Sequence, residues 1–457
     1  MLDRQQAHQA RAVLNDLTAQ LVTLKTTMVS VEARIVDLTN AIAPISSIPS
    51  EILAAIFKEV CLSGGYHGSE IHLPLRVLPS IVLASHVNRR FRHIAINTPL
   101  LWTNVHFHLS SIMDIHLMDT YLERSKTTPL EICIVGAGSL GDVYNVIGRL
   151  LPHSGRWKSL SVQSQSLPCM RAIILALQHL FVPRLESIHM TVLRPLPANN
   201  QDVRIFQGGA PNLRIVKLAN VGLLSCCPPL SALRTLDIQM SYFQLTSLHH
   251  NQFRDISAAA PSLTDLRLSS MVFVPTTRIE LEPIDLPSLR TLVIILNPFP
   301  AGENGLIDVF KTLHMPILQT LEIDHATSTE ATCFLRFLQV EGHLRYPSLH
   351  SLSLRDADCA GCFTLEFINA LPRITSLSLV RSAEDFILKL LTDGEAWPQI
   401  TALKLAMVDH DLLREFISCR EGRIDSLALG VEGFGDIPPD FHDWLKKHIR
   451  YFVMSTL

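Results

Sequence analysis

Between residues 157 and 429 the chain repeats a short apolar motif, L-x-x-L-x-L, often with a proline two residues before its first apolar position. The copies are Trp157/Leu160/Val162, Leu185/Ile188/Met190, Leu213/Val216/Leu218, Leu233/Leu236/Ile238, Leu263/Leu266/Leu268, Leu289/Leu292/Ile294, Leu318/Leu321/Ile323, Leu349/Leu352/Leu354, Ile374/Leu377/Leu379, Ile400/Leu403/Leu405 and Ile424/Leu427/Leu429. Their starts lie 28, 28, 20, 30, 26, 29, 31, 25, 26 and 24 residues apart, room for one strand and one return segment each. A unit of that size cannot bury its apolar side alone, so neighbours must stack into a continuous core. Leu130-Glu131-Ile132-Cys133-Ile134, whose Ile132 and Ile134 stand 28 residues before Leu160 and Val162 of the first copy, supplies a capping strand.

Return helices are expected over 170–180, 306–313, 333–339, 363–371 and 412–417, with a last helix over 440–447 and a final strand over 449–453. The array resembles leucine-rich repeats of a divergent kind, because the asparagine usual three residues after L-x-L is matched only by Asn297. The resemblance implies an α/β solenoid of parallel strands with return helices, curved irregularly, over residues 128–457. The x positions of the motif then line the concave face. The first such column is mostly Ser and Thr, which suits packing between parallel strands or a binding strip. In the outward columns Lys217, Asp237, Arg267, Glu322, Arg355 and Lys404 form a mixed-charge band with Val293 and Ile295 as an apolar centre. That is the anatomy of a protein–protein hot spot, or equally a solvated face over a buried strand.

At the other end, Leu14, Leu17, Leu21, Leu24, Met28, Val31, Ile35, Leu38 and Ile42 alternate in steps of three and four without exception, a heptad helix within residues 1–43 that Pro44 stops. The e positions are Thr18, Lys25, Glu32 and Thr39 and the g positions Gln20, Thr27, Arg34 and Ala41, so no g-to-e′ pair of a parallel coil carries opposite charges. Val22, Val29 and Val36 widen the apolar face. Self-association through residues 14–42, docking on the chain's own body and docking on a foreign helix all satisfy the pattern.

Residues 45–109 read as a small helical module. Ile48-Pro49-Ser50-Glu51-Ile52-Leu53-Ala54-Ala55-Ile56-Phe57 opens with a proline at a helix start and sets Ile52, Ile56 and Phe57 on one face. A second helical stretch carries Leu83, Val87, Phe91 and Ile94 through His86-Val87-Asn88-Arg89-Arg90-Phe91-Arg92, and Thr98-Pro99-Leu100-Leu101-Trp102 closes the segment. The order of these parts resembles the F-box of fungal F-box proteins, with Asn88 where a cysteine is common and Phe91 where tryptophan is. The resemblance implies a three-helix module docking on the Skp-type adaptor of an SCF ubiquitin ligase and, through it, on a cullin. It assigns Ile48, Pro49, Ile52, Leu53, Ile56, Phe57, Leu83, Val87, Phe91 and Trp102 as apolar contacts and Arg89 and Arg90 as a polar rim, in helix-in-groove recognition. The chain would then be the substrate-recognition subunit, with no catalytic residues of its own. The runner-up is an adaptor-independent interaction scaffold.

Other chemistry finds little footing. A composition of 47% hydrophobic and 18% charged residues is that of a folded chain. A net charge of −3 without long basic runs excludes the electrostatic footprint of nucleic-acid binding. The longest pure apolar run, Leu292 to Leu296, is far short of a membrane span. Nine scattered cysteines, no sequon and no leader-like start point to a reducing cytoplasmic or nuclear compartment. Gly136-Ala137-Gly138-Ser139-Leu140-Gly141 spells a dinucleotide fingerprint, yet the acidic residue expected about 20 positions on is missing. Cys359-Ala360-Gly361-Cys362 has no second pair to complete a zinc site. No cofactor and no metal are expected.

Overall fold

A computed structural model describes residues 4–63, 80–109, 112–193, 203–240, 248–269, 272–273, 281–296, 305–340, 343–358, 363–369, 371–393, 396–420, 422–430 and 438–455. The Cys359–Cys362 pair and Asn297 lie outside them. The chain divides into two compact units, Met1–Trp102 and Thr103–Leu457.

The second unit is built on one sheet of 14 strands laid down in chain order. They are Asn104–His108, Leu130–Gly136, Trp157–Ser164, Ser187–Val192, Ile215–Ala219, Thr235–Gln239, Asp265–Ser269, Thr291–Ile295, Thr320–Asp324, Ser351–Arg355, Ser376–Val380, Ala402–Leu405, Ser426–Gly430 and Tyr451–Ser455. Every neighbouring pair is parallel. The eleven motifs fall on one register: Leu160 pairs with Ile188, Ile188 with Val216, Val216 with Leu236, and so on to Leu403 with Leu427. The second apolar column, from Val162 through Met190 to Leu429, runs beside it. Both columns are buried, and the residues between them are mostly half-buried, giving the strands an alternating pattern. Helices such as Leu167–Ala176, Gly305–Thr312, Ser328–Arg336, Leu365–Asn369 and His410–Cys419 overlap the segments expected to return the chain, although the one expected over 333–339 starts five residues earlier and gives way to a short strand at Gln339–Val340.

The N-terminal cap differs from expectation. Leu130–Gly136 is the second strand, and the first, Asn104–His108, comes from residues that the sequence pattern places in the helical module. Its alternation Val105, Phe107 matches Ile132, Ile134 in register, which is the sheet's own apolar code. At the far end the helix Pro439–His448 and the strand Tyr451–Ser455 close the array, two residues later than predicted for the strand.

Two buried arginines tie turns together. Arg420 donates to the carbonyls of Trp397, Leu391 and Ala396 and lies over the Phe416 ring, while Arg156 donates to Leu122 O and Ser125 Oγ at 2.8 Å each. Each guanidinium satisfies a carbonyl in a helix's last turn, Leu122 or Leu391, together with groups of the segment that follows that helix.

The first unit opens with the 39-residue helix α1 (Arg4–Ile42), followed by α2 (Ser50–Ser63), α3 (Ser80–Val87), α4 (Arg89–Asn97) and a 3-10 turn, Pro99–Trp102. Every large apolar residue of the α1 heptad seam, and Val22, Val29 and Val36 beside it, is exposed.

Candidate functional site

Helix α2 carries two apolar stripes one residue apart. Leu53 and Phe57, 0% and 7% exposed, point into the module's core, while Ile52, Ile56 and Val60 recur every fourth residue on the outside, with Ile52 at 52% and Ile56 at 44%. On α3, Leu83 and Val87 are exposed one turn apart, while Ile81 is buried. Leu100, in the closing turn, is exposed as well.

The core beneath is aromatic. Phe57 meets Phe91 edge-on at 5.1 Å, and the Trp102 indole N–H donates to Ala95 O at 2.7 Å. Four residues that the sequence pattern assigned to docking, Leu53, Phe57, Phe91 and Trp102, are thus core residues, because α2, α4 and the 3-10 turn enclose them. Of the others, Pro49, Ile52, Ile56, Leu83, Val87 and Arg89 are exposed and Ile48 is half-buried. Arg90 is turned to structure: its guanidinium donates to Ile48 O, fastening the segment before α2 to α4. Asn88 has a positive role too, since its Oδ1 accepts from Phe91 N at 2.8 Å and caps α4. Sequence reasoning missed Val60 and Leu100, although the i, i+4, i+8 spacing from Ile52 pointed to the former.

On the sheet, the expected charged band is present but its middle is not apolar surface. Val293 is 8% exposed, flanked in register by Arg267 and Glu322, and Ile295 is half-buried. Long charged side chains at adjacent positions shield a valine by their methylene stems. Lys217 is exposed, and Asp237, Arg267, Glu322, Arg355 and Lys404 are half-buried. The band is drawn together by Asp324, which sequence reading passed over: its carboxylate lies 3.8 Å from Arg267 and 3.9 Å from Arg355. Burial pushes the Asp324 carboxyl up, and the two arginines offset this in part.

One residue beyond the strand ends lies a second charged group. His325, Asp356 and Arg381 have left-handed φ values of 61°, 48° and 52°, which turn the chain out of each strand. Arg381 donates two hydrogen bonds to Asp356, at 2.5 and 2.8 Å, and His325 Nδ1 stands 3.6 Å from the same carboxylate. The hydrogen bond from Arg381 holds the Asp356 carboxyl below its ordinary range. With Ala326 and Thr327 the three line a cleft of about 400 Å³. The signal that could have found them is the column two residues past the last apolar position of each motif.

The glycine-rich loop has a packing explanation. Gly136 has φ +100° and a Cβ there would collide with the His108 ring, while one on Gly138 would come within 2.9 Å of Leu109 Cβ. Ser139 and Asp142 form a capping box, so a carboxylate already occupies the following helix start, where a pyrophosphate would have to sit. Among the described residues no group of three His, Cys, Asp or Glu could hold a metal ion. No helix of the described residues is long and apolar enough to cross a membrane.

No protein-family model matches the chain, and no curated protein is detectably similar to it.

Proposed function

We propose that this chain is a substrate-recognition subunit of an SCF-type ubiquitin ligase, whose F-box-like module docks on a Skp-type adaptor and whose leucine-rich-repeat-like array captures a protein substrate. The observation that carries the reading is the division of α2 into a buried stripe, Leu53 and Phe57, and an exposed one, Ile52, Ile56 and Val60. A module that keeps its own core and still presents large apolar side chains at helical spacing has the form of a helix-in-groove ligand. The chain itself transfers nothing. It raises the effective concentration of a substrate lysine near the enzyme recruited by the cullin.

Substrate capture falls to the sheet face that carries the outward columns, where Lys217, Asp237, Arg267, Asp324 and Arg355 provide charge of both signs on a ladder of parallel strands. Pairing of opposite charges there would favour a polar partner surface of matching pattern over an apolar one.

Co-purification of the intact chain with a Skp-type adaptor tests the reading. Capture that is lost in Ile52→Glu/Ile56→Glu supports it; a folded chain that captures no adaptor leaves the interaction-scaffold reading in its place.

A further inference from the structure

The exposed seam of α1 has charges placed to select its occupant. A 39-residue helix is about 58 Å long, and its heptad residues stay exposed from Leu14 to Ile42. A partner must follow the same 3.5-residue period to stay in contact over that length. Between Leu14 and Ile42 the flanking charges next to the seam are Lys25 and Glu32, at e positions one heptad apart, and Arg34 at a g position, which the pairing below sets against the uncharged Thr27.

We infer that α1 pairs with α1 of a second copy of this chain in an antiparallel coil, Met28 opposite Val31 of the second copy. In that alignment Leu24 faces Ile35, Leu21 faces Leu38 and Leu17 faces Ile42, so all eight seam residues from Leu17 to Ile42 find a layer partner. Antiparallel coils bring e positions against e positions. Here Lys25 meets Glu32 of the second copy, Glu32 meets its Lys25, and Thr18 meets Thr39.

The competing arrangements are worse by charge. A shift of one heptad toward the N-terminus keeps eight seam residues in layers but sets Lys25 against Lys25; a shift the other way sets Glu32 against Glu32. A parallel coil places Lys25 beside Gln20 and Glu32 beside Thr27, with no ion pair at all. The antiparallel coil also gathers the valines: Val22 and Val36 of one helix flank the same side as Val36 and Val22 of the other, with Val29 near Val29, instead of leaving two separate wet stripes. The pairing is isologous, so it closes at two chains. It sets the two Ile42 residues about 38 Å apart, at opposite ends of the coil.

Sedimentation equilibrium of the full chain and of K25E, E32K and K25E/E32K tests this. These residues are exposed, so the variants fold as the parent does. The expected result is a reversible dimer, weakened about tenfold or more by either single reversal and restored to within about threefold by the double one. A chain that stays monomeric at about 100 μM overturns the proposal, as does a dimer indifferent to K25E, which a parallel coil or another surface would produce.

Discussion

The rings of Phe57 and Phe91 meet edge-on, 5.1 Å between centroids, and join α2 to α4 at the centre of the helical module. That contact separates what holds the module together from what it offers to others. The side chain next to Phe57 in sequence, Ile56, faces outward.

Phe57→Ala removes one ring of the pair and leaves a cavity, at a cost of about 3 to 5 kcal/mol to the unit that contains it. Ile56→Glu, on the exposed stripe, should move stability by no more than about 0.5 kcal/mol. Denaturant titration of the two variants distinguishes them. Equal losses would show that both positions are core.

Asn88→Ala removes the side-chain acceptor for Phe91 N and should cost about 1 kcal/mol, whereas Asn88→Ser or Asn88→Asp keeps a capping oxygen and most of the stability. A chemical melt of the three variants reads the difference. If alanine were as good as serine, the cap would contribute nothing.

Acid titration should show opposite signs at two neighbouring carboxylates. Asp356 is held below the ordinary range by Arg381, so its contribution is present above the unfolded value of about 4 and is lost as pH falls through the lower folded value. Asp324 is pushed up by burial, so the fold favours its neutral form, and stability is lost as pH rises through its folded value. At pH 7, Asp356→Asn should therefore lower Tm and Asp324→Asn raise it; the Asp324 difference should fade as pH falls toward about 4, whereas the Asp356 difference should begin to fade only as pH falls below about 4. Thermal melts between pH 3 and 7 check the signs; a drop in Tm with Asp324→Asn at pH 7 would show that Arg267 and Arg355 outweigh the burial.

The repeat strands were legible because a two-residue alternation recurring every 20 to 31 residues leaves few other solutions, and each motif fell on its predicted register. The first strand was not, since Val105 and Phe107 sit directly behind Trp102 without the long motif, and two apolar residues in alternation carry little information. Inside the helical module, chemistry alone could not tell Ile52 from Leu53: both are large and apolar, and only the placement of α3 and α4 decides which one is enclosed. The cluster of His325, Asp356 and Arg381 was hidden for a related reason. The three lie 31 and 25 residues apart and look like ordinary loop charges until the strand register stacks them.

The most direct test is the binding of a purified Skp-type adaptor to the intact chain by calorimetry, beside Ile52→Glu/Ile56→Glu with its melting curve taken in parallel. The account predicts a one-to-one complex that the double variant weakens by at least about 100-fold while its melt stays within a few degrees of the parent, the loss expected when two anchors of a helix-in-groove contact become charged. A folded intact chain with no measurable adaptor binding, or a double variant that binds as tightly as the parent, would contradict it.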